Sequence, residues 1–231
     1  MELTVAQTAA LTHTDVQLVR RAIRDGLLAA LRRIGQTTVI DDIAATAWKR
    51  SVARGRLWTD DVREAALDVA STGKTDRLSS SERSRLRARL RTITAAEFAH
   101  AAGGLGGAWG RYTTTSHDLG TAIGPDAADL AALGIVEGDV GIHFACVDDL
   151  DAFELHNDDR LDADGNLCVV ERPADDRSAR ILLDTYLLGG SRESAAAAAA
   201  LETLSAKSTT RASNTGSSDR TMDITSPAPA G

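Results

Sequence analysis

Residues 3–40 read LTVAQTAALTHTDVQLVRRAIRDGLLAALRRIGQTTVI, and the division of this stretch decides the fold. Thr4 stands three residues before Gln7, the spacing of a capping box, and opens a short helix from Val5 to about Leu11. Val5, Ala9 and Leu11 supply its apolar contacts, and a turn follows at 12–14. Asp15 is then the N-cap of a second helix over 16–25. On that helix Val19, Ala22 and Ile23 fall at core spacing, while Gln17, Arg20, Arg21 and Arg24 project from the other side. Gly26 ends it as a C′ glycine does. Residues 31–34 and 37–40 alternate around Gly35-Gln36, a two-residue hairpin signal.

The polar stripe of the second helix has the chemistry of a base reader. Arginine can pair bidentately with guanine, and glutamine with adenine, across the major groove. Val16, Gln17, Arg20, Arg21 and Arg24 are therefore expected to face double-stranded DNA. Arg32, Arg33 and Thr37, with Thr38, lie where a hairpin could touch phosphates. Spacing alone fits equally well two ordinary amphipathic helices and a hairpin with solvated arginines.

Family resemblance bears on that choice. Leu3-Thr4-Val5-Ala6, then Ala9-Ala10-Leu11, then Val19-Arg20-Arg21-Ala22-Ile23-Arg24-Asp25-Gly26 resembles the excisionase and MerR-like DNA-binding module. The resemblance implies a winged helix-turn-helix over residues 1–56. Two positions depart from the family pattern. His13 stands where a glycine usually makes the turn, and Asp15 replaces a serine. A left-handed turn accepts histidine less readily than glycine, and an acidic cap brings negative charge toward phosphates.

Downstream, Asp41 or Asp42 caps a third helix, 43–54, with Ile43, Ala47 and Trp48 inward and Lys49, Arg50 and Arg54 outward. Thr59 leads a helix over 60–71. Ser79 and Glu82 form another capping-box spacing and open a helix carrying Arg83, Arg85, Arg87, Arg89 and Arg91. These arginines spread around the helix; they extend DNA contact, grip an acidic partner, or only solvate the surface. A short helix over 95–102 precedes Gly103-Gly104-Leu105-Gly106-Gly107, a flexible break and expected domain boundary. Arg54-Gly55-Arg56 with Trp58, then Ala65-Ala66-Leu67-Asp68, then Ser84-Arg85-Leu86-Arg87 with Arg89-Leu90, resembles bacterial helix-turn-helix antitoxins. That family accompanies AbiEii-type nucleotidyltransferase toxins.

The later chain mixes a helix at 127–133, strands at 142–147 and 167–171, and an acidic turn at 148–153 between the strands. An amphipathic helix over 179–188 ends at Gly189-Gly190, and an alanine-rich helix runs from Ser191 to about Leu204. A Ser/Thr/Ala/Pro-rich tail follows, read as disordered. The expected fold class is α+β, mainly α. Its parts are a DNA-binding domain (1–56), an arginine-rich helical linker (57–102), an acidic α+β domain (103–204) and a tail (205–231).

The net charge of −7 hides a division. Residues 1–111 carry 18 Lys+Arg against 12 Asp+Glu, a net of +6, and residues 112–231 carry 8 against 21, a net of −13. That split suits nucleic acid on one half and a basic partner on the other, or simply a solvated acidic surface. No apolar run could span a bilayer and Met1 opens no signal peptide, so a cytoplasmic protein with no membrane contact is expected. Cys146 and Cys168 read as buried thiols.

Enzyme chemistry is not expected, nor any metal or cofactor. Residues 160–171 imitate a calcium loop, but Arg160 fills its first ligand position; a hairpin turn at 163–166 accounts better for them. Ser116-His117-Asp118 are adjacent, so their side chains point apart and form no triad. The five histidines are scattered without zinc spacing. The expected function is a DNA-binding transcriptional regulator, the antitoxin of a two-gene pair. It would repress its own operator, and its C-terminal part would form a homodimer or restrain a cognate toxin. An excisionase-like architectural DNA factor and an interaction module that has lost DNA binding are the alternatives.

Overall fold

A computed structural model of the chain describes residues 1–105, 108–113, 123–124, 127–135, 143–157, 162 and 164–214. These form an α+β fold, mainly helical, with two three-stranded sheets. The first sheet and its helices run β1 (Glu2–Thr4), α1 (Val5–Thr12), α2 (Val16–Arg24), β2 (Arg32–Ile34) and β3 (Thr37–Asp41). The capping box at Thr4 and Gln7 forms as the spacing predicts. Gly35, at φ 59°, turns the chain between β2 and β3, and Ile34 faces Thr37 across the hairpin. β1 was not expected. It pairs antiparallel with β3, setting Leu3 opposite Ile40, so the sheet order is β1-β3-β2 with β3 central.

Four helices follow: α3 (Asp42–Arg50), α4 (Asp60–Thr72), α5 (Ser80–Leu90) and α6 (Ala95–Ala101). The α3 cap is Asp41, whose carboxylate accepts from Ile43 N–H at 2.8 Å. α3 ends four residues before the expected Arg54, because the Ser51 hydroxyl donates to the Trp48 carbonyl at 2.9 Å and closes the last turn. α5 and α6 both open on complete capping boxes, Ser79–Glu82 and Thr94–Glu97. The Ser79 hydroxyl, then its amide, hold the Glu82 carboxyl below the usual range. For Glu97 the Thr94 amide leads and its hydroxyl follows. The glycine-rich stretch begins as a helix cap rather than a loose link. Gly104, at φ 66°, donates to the Ala99 carbonyl at 2.8 Å, and Leu105 packs on the core.

The second sheet contains β4 (Trp109–Tyr112), β5 (His143–Val147) and β6 (Leu167–Glu171), with α7 (Ala127–Ala132) before β5 and α8 (Leu150–Asn157) after it. The order is β4-β6-β5, with β4 antiparallel and β5 parallel to the central β6. β4 was not expected. Neither was a parallel pair, so the turn before β6 is not a hairpin turn. It ends a crossover through α8, as parallel strands require. Asp162 organises that turn, its carboxylate accepting from Asp164 N–H at 2.9 Å and its carbonyl from Gly165 N–H at 3.0 Å. Residues 114–122, containing Ser116-His117-Asp118, residues 158–161 and residues 215–231 lie outside the described residues.

The last two described elements are the helices α9 (Ser178–Leu188) and α10 (Ser191–Asn214), joined by Gly189-Gly190. α10 continues ten residues past the expected end at Leu204, with Ser205 fully buried. α9 is not a surface amphipathic helix. Leu182, Leu183 and Leu187 on it are almost wholly buried, and so are Arg180 and Asp184. α3, α4, α6 and α10 surround it. Arg50, expected to face solvent, instead donates to the Leu187 and Gly189 carbonyls at 2.7 and 2.8 Å and satisfies the end of α9. Tyr186 on α9 returns a hydrogen bond to the Arg50 carbonyl at 2.8 Å. One hydrophobic core therefore runs from Leu3 to Leu201, across the boundaries expected at 56 and 102. A smaller cluster of Tyr112, Val147, Phe153 and Leu167 lies under α8. Among the described residues no helix is long and apolar enough to cross a membrane.

Candidate nucleic-acid interface

α2 is fixed at both ends by its own sequence. Asp15 accepts from Gln17 N–H at 2.6 Å, and Gly26, at φ 72°, lets Leu27 N–H reach the Ala22 carbonyl at 2.8 Å. Val19 and Ala22 bury the inner face, with Ile23 half-buried. The turn before α2 carries the predicted departure. His13 takes the left-handed conformation at φ 55°, the single non-glycine residue with positive φ among the described residues. Its turn is closed by Thr14 N–H donating to the Ala9 carbonyl at 3.0 Å.

Helical geometry splits the polar residues of α2 between two flanks. Arg20 and Arg24, one turn apart, line an open concavity of about 490 Å³ between α2 and the β2–β3 hairpin. Arg21 lines a different cavity, behind the helix. Strand parity splits the hairpin in the same way. Arg33 and Thr38 share the face that carries Leu3 and Ile40, toward the helices, and both line the concavity. Arg32 lies on the reverse face, where Glu2 holds it at 2.7 Å. Thr37 and Gln36 complete the rim at the turn, and Thr4, Val5 and Ala6 form the wall beside α1.

The structure thus brings together Arg20, Arg24, Arg33 and Thr37 of the expected site residues. It places Arg21 and Arg32 elsewhere. Gln17 is exposed at the start of α2 but does not line the concavity, and Val16 is half-buried against the core, so its side chain packs rather than reads. Arg24 is partly neutralised by Asp25 at 3.2 Å. Arg20 and Arg33 have no carboxylate or hydrogen-bond partner among the described residues. Thr4, Val5 and Ala6 escaped the sequence reading as site residues. They are set beside the hairpin by the strand Glu2–Thr4, three residues that carry no local signal of their own.

The arginine-dense α5 does not enlarge this surface. Arg83 donates to the Thr75 carbonyl and Arg87 to the Gly73 carbonyl, each at 3.0 Å, closing the α4–α5 connection. Arg89 lies over the Trp58 ring at 5.3 Å. Arg85 and Arg91 are exposed. A second charged concavity lies between α4 and the start of α9, but its arginines are each paired with carboxylates. Arg177 binds Asp175, Glu64 and Asp68, at 2.5, 2.6 and 2.7 Å, and those contacts, Asp175 foremost, hold its guanidinium above the ordinary arginine range. Both cysteines are buried free thiols, as expected. Burial pushes Cys168 up to about 12 and Cys146 upward despite Arg172 beside it. No group of three or more candidate metal ligands occurs among the described residues. Compared with known protein families, curated proteins and solved structures, the chain matches none.

Proposed function

We propose that the chain is a sequence-specific DNA-binding regulator whose first forty residues act as a winged helix-turn-helix. The observation that carries this reading is the cleft between α2 and the hairpin, lined by Arg20, Arg24 and Arg33, two of them without a neutralising partner. Arg20 and Arg24 can reach base edges, while Arg33 with Thr37 and Thr38 can hold phosphates on the hairpin side. The refined set of contact residues is thus Arg20, Arg24, Arg33, Thr37 and Thr38. The test is binding of the purified protein to its own upstream DNA across a salt series, beside an Arg20→Ala/Arg24→Ala variant. Specific binding should fall steeply with salt, and the variant should lose on the order of 100-fold in affinity, about 1–3 kcal/mol per bidentate contact. Equal binding by both proteins would remove α2 from the interface.

The role proposed for this activity is that of an antitoxin repressing its own operon, with the net −13 of residues 112–231 turned toward a basic toxin. Its support is that charge and the sequence resemblance. Co-expression with the product of the adjacent gene should give a complex that survives copurification at low salt and weakens as salt rises. Consistent failure to copurify would sink the antitoxin role and leave the DNA reading intact. A second reading, an interaction module that has lost DNA, draws on His13 and on the Asp15 carboxylate at the α2 N-terminus. Absence of any specific DNA complex would favour it.

A further inference from the structure

Behind α2 lies a cavity of about 120 Å³ that the DNA reading does not use. Its walls are apolar: the Trp48 indole, Leu18, Leu27 and Val52. Leu18 and Val52 are 38% and 43% exposed, so the mouth opens to solvent, whereas Trp48 at 6% forms a buried wall. Two charged side chains stand at this site, Arg21 on α2 and Asp25 at its C-terminal cap. They are one helical turn apart and do not pair with each other. Asp25 is taken by Arg24 at 3.2 Å. Arg21 has no carboxylate or hydrogen-bond partner among the described residues. His100, also on the lining, is engaged with the Gly55 carbonyl at 3.1 Å. The site therefore offers an apolar slot beside one uncompensated guanidinium.

We infer that this cavity binds a small monocarboxylate with a compact apolar body, its carboxylate on Arg21 and its body against Trp48. The volume is close to that of an engineered apolar cavity of about 150 Å³ that admits benzene, so the body is a single ring or a branched chain of similar size. A planar guanidinium suits a carboxylate because two parallel hydrogen bonds can form. Asp25 beside it disfavours a second negative charge on the ligand. The inference goes beyond the DNA reading and does not depend on it, although Leu18, Arg21, Ala22 and Asp25 place the ligand on the same helix as Arg20 and Arg24.

The test is titration of the full chain with benzoate, following the Trp48 indole N–H resonance assigned with Trp48→Phe. Saturable displacement of that resonance is expected at millimolar benzoate. Arg21→Gln should weaken the binding on the order of tenfold, the effect of losing one charge-assisted contact. Ala53→Phe, which fills the mouth from the half-buried Ala53 on the lining, should abolish it. Benzylamine, with the same ring and the opposite charge, should leave the resonance in place. A resonance that does not move with benzoate overturns the inference, and so does equal affinity in wild type and Arg21→Gln, or binding of benzylamine as tight as that of benzoate.

Discussion

Asp184→Ala should destabilise the protein by about 3–5 kcal/mol near neutral pH. Asp184 sits on α9 with its side chain 4% exposed. Arg172 contacts it directly, and Arg180, one turn before it, lies at 3.0 Å. Both guanidiniums are themselves largely buried, at 15% and 9% exposure. Alanine would leave two desolvated positive charges facing each other with no counter-ion, which costs far more than the pair contributes when intact. Urea denaturation of the two proteins measures the difference, and a loss under about 1 kcal/mol would mean water reaches these arginines. The same carboxyl gives a pH signature. Burial pushes its pKa up to about 6 against the pull of Arg172. The folded state then holds the proton more tightly than the unfolded chain, whose aspartates titrate near about 3.9. The contribution of this group to stability therefore falls as pH rises between these two values and is level above them. In the Asp184→Asn protein that step should be missing from the dependence of Tm on pH.

Phe98→Ala should cost a similar amount, about 3–5 kcal/mol. Phe98 is wholly buried on α6 and meets Trp58 edge-on, with ring centroids 5.2 Å apart at 85°. Trp58 is in turn covered by Arg89, and its backbone N–H donates to the Ala101 carbonyl at 2.8 Å. Removing the Phe98 ring opens a cavity under Trp58 and loses an aromatic pair as well as the transfer term. The variant should therefore also show Trp58 emission shifted toward that of a hydrated indole. Phe98→Leu, which keeps most of the volume, should recover more than half of the lost stability. Unchanged midpoints in both variants would mean that the α6 face is not packed as described.

How much of this was legible in the sequence follows from how local each feature is. The capping boxes at Thr4 and Ser79, the Asp15 cap and the glycines at 26 and 35 act within a few residues, and the helices and hairpin they bound lie close to where the spacing puts them. β1 and β4 are three and four residues long and exist because a distant strand pairs with them, so no local period announces them. Alternation separates Arg32 from Arg33, but only the pairing of β1 with β3 tells which of the two faces the helices. Arg50, Arg83 and Arg87 have the spacing of solvated side chains, and their partners are backbone carbonyls whose positions depend on the fold. Arg180 and Asp184 stand at i,i+4, the spacing of a surface ion pair, yet lie at the centre of the molecule. Within the candidate site, the stripe on α2 was readable, but its division between two flanks required the neighbours on each side.

The position of α9 has a consequence for how the protein is made. Residues 178–188 form the hub on which α3, α4 and α6 pack, and they are synthesised after all three. At translation rates of about 5–20 residues per second, roughly 4–17 s separate the emergence of Ala101 from that of Leu188. Throughout that interval the apolar faces of α4 and α6, including Ala66, Leu67, Val69 and Phe98, lack the cover that α9 and α10 give them. The nascent chain is consequently exposed to chaperones and proteases until α9 and α10 leave the ribosome. A chain cut short before α9 would lack its hub, even though the first forty residues that carry the cleft would be intact.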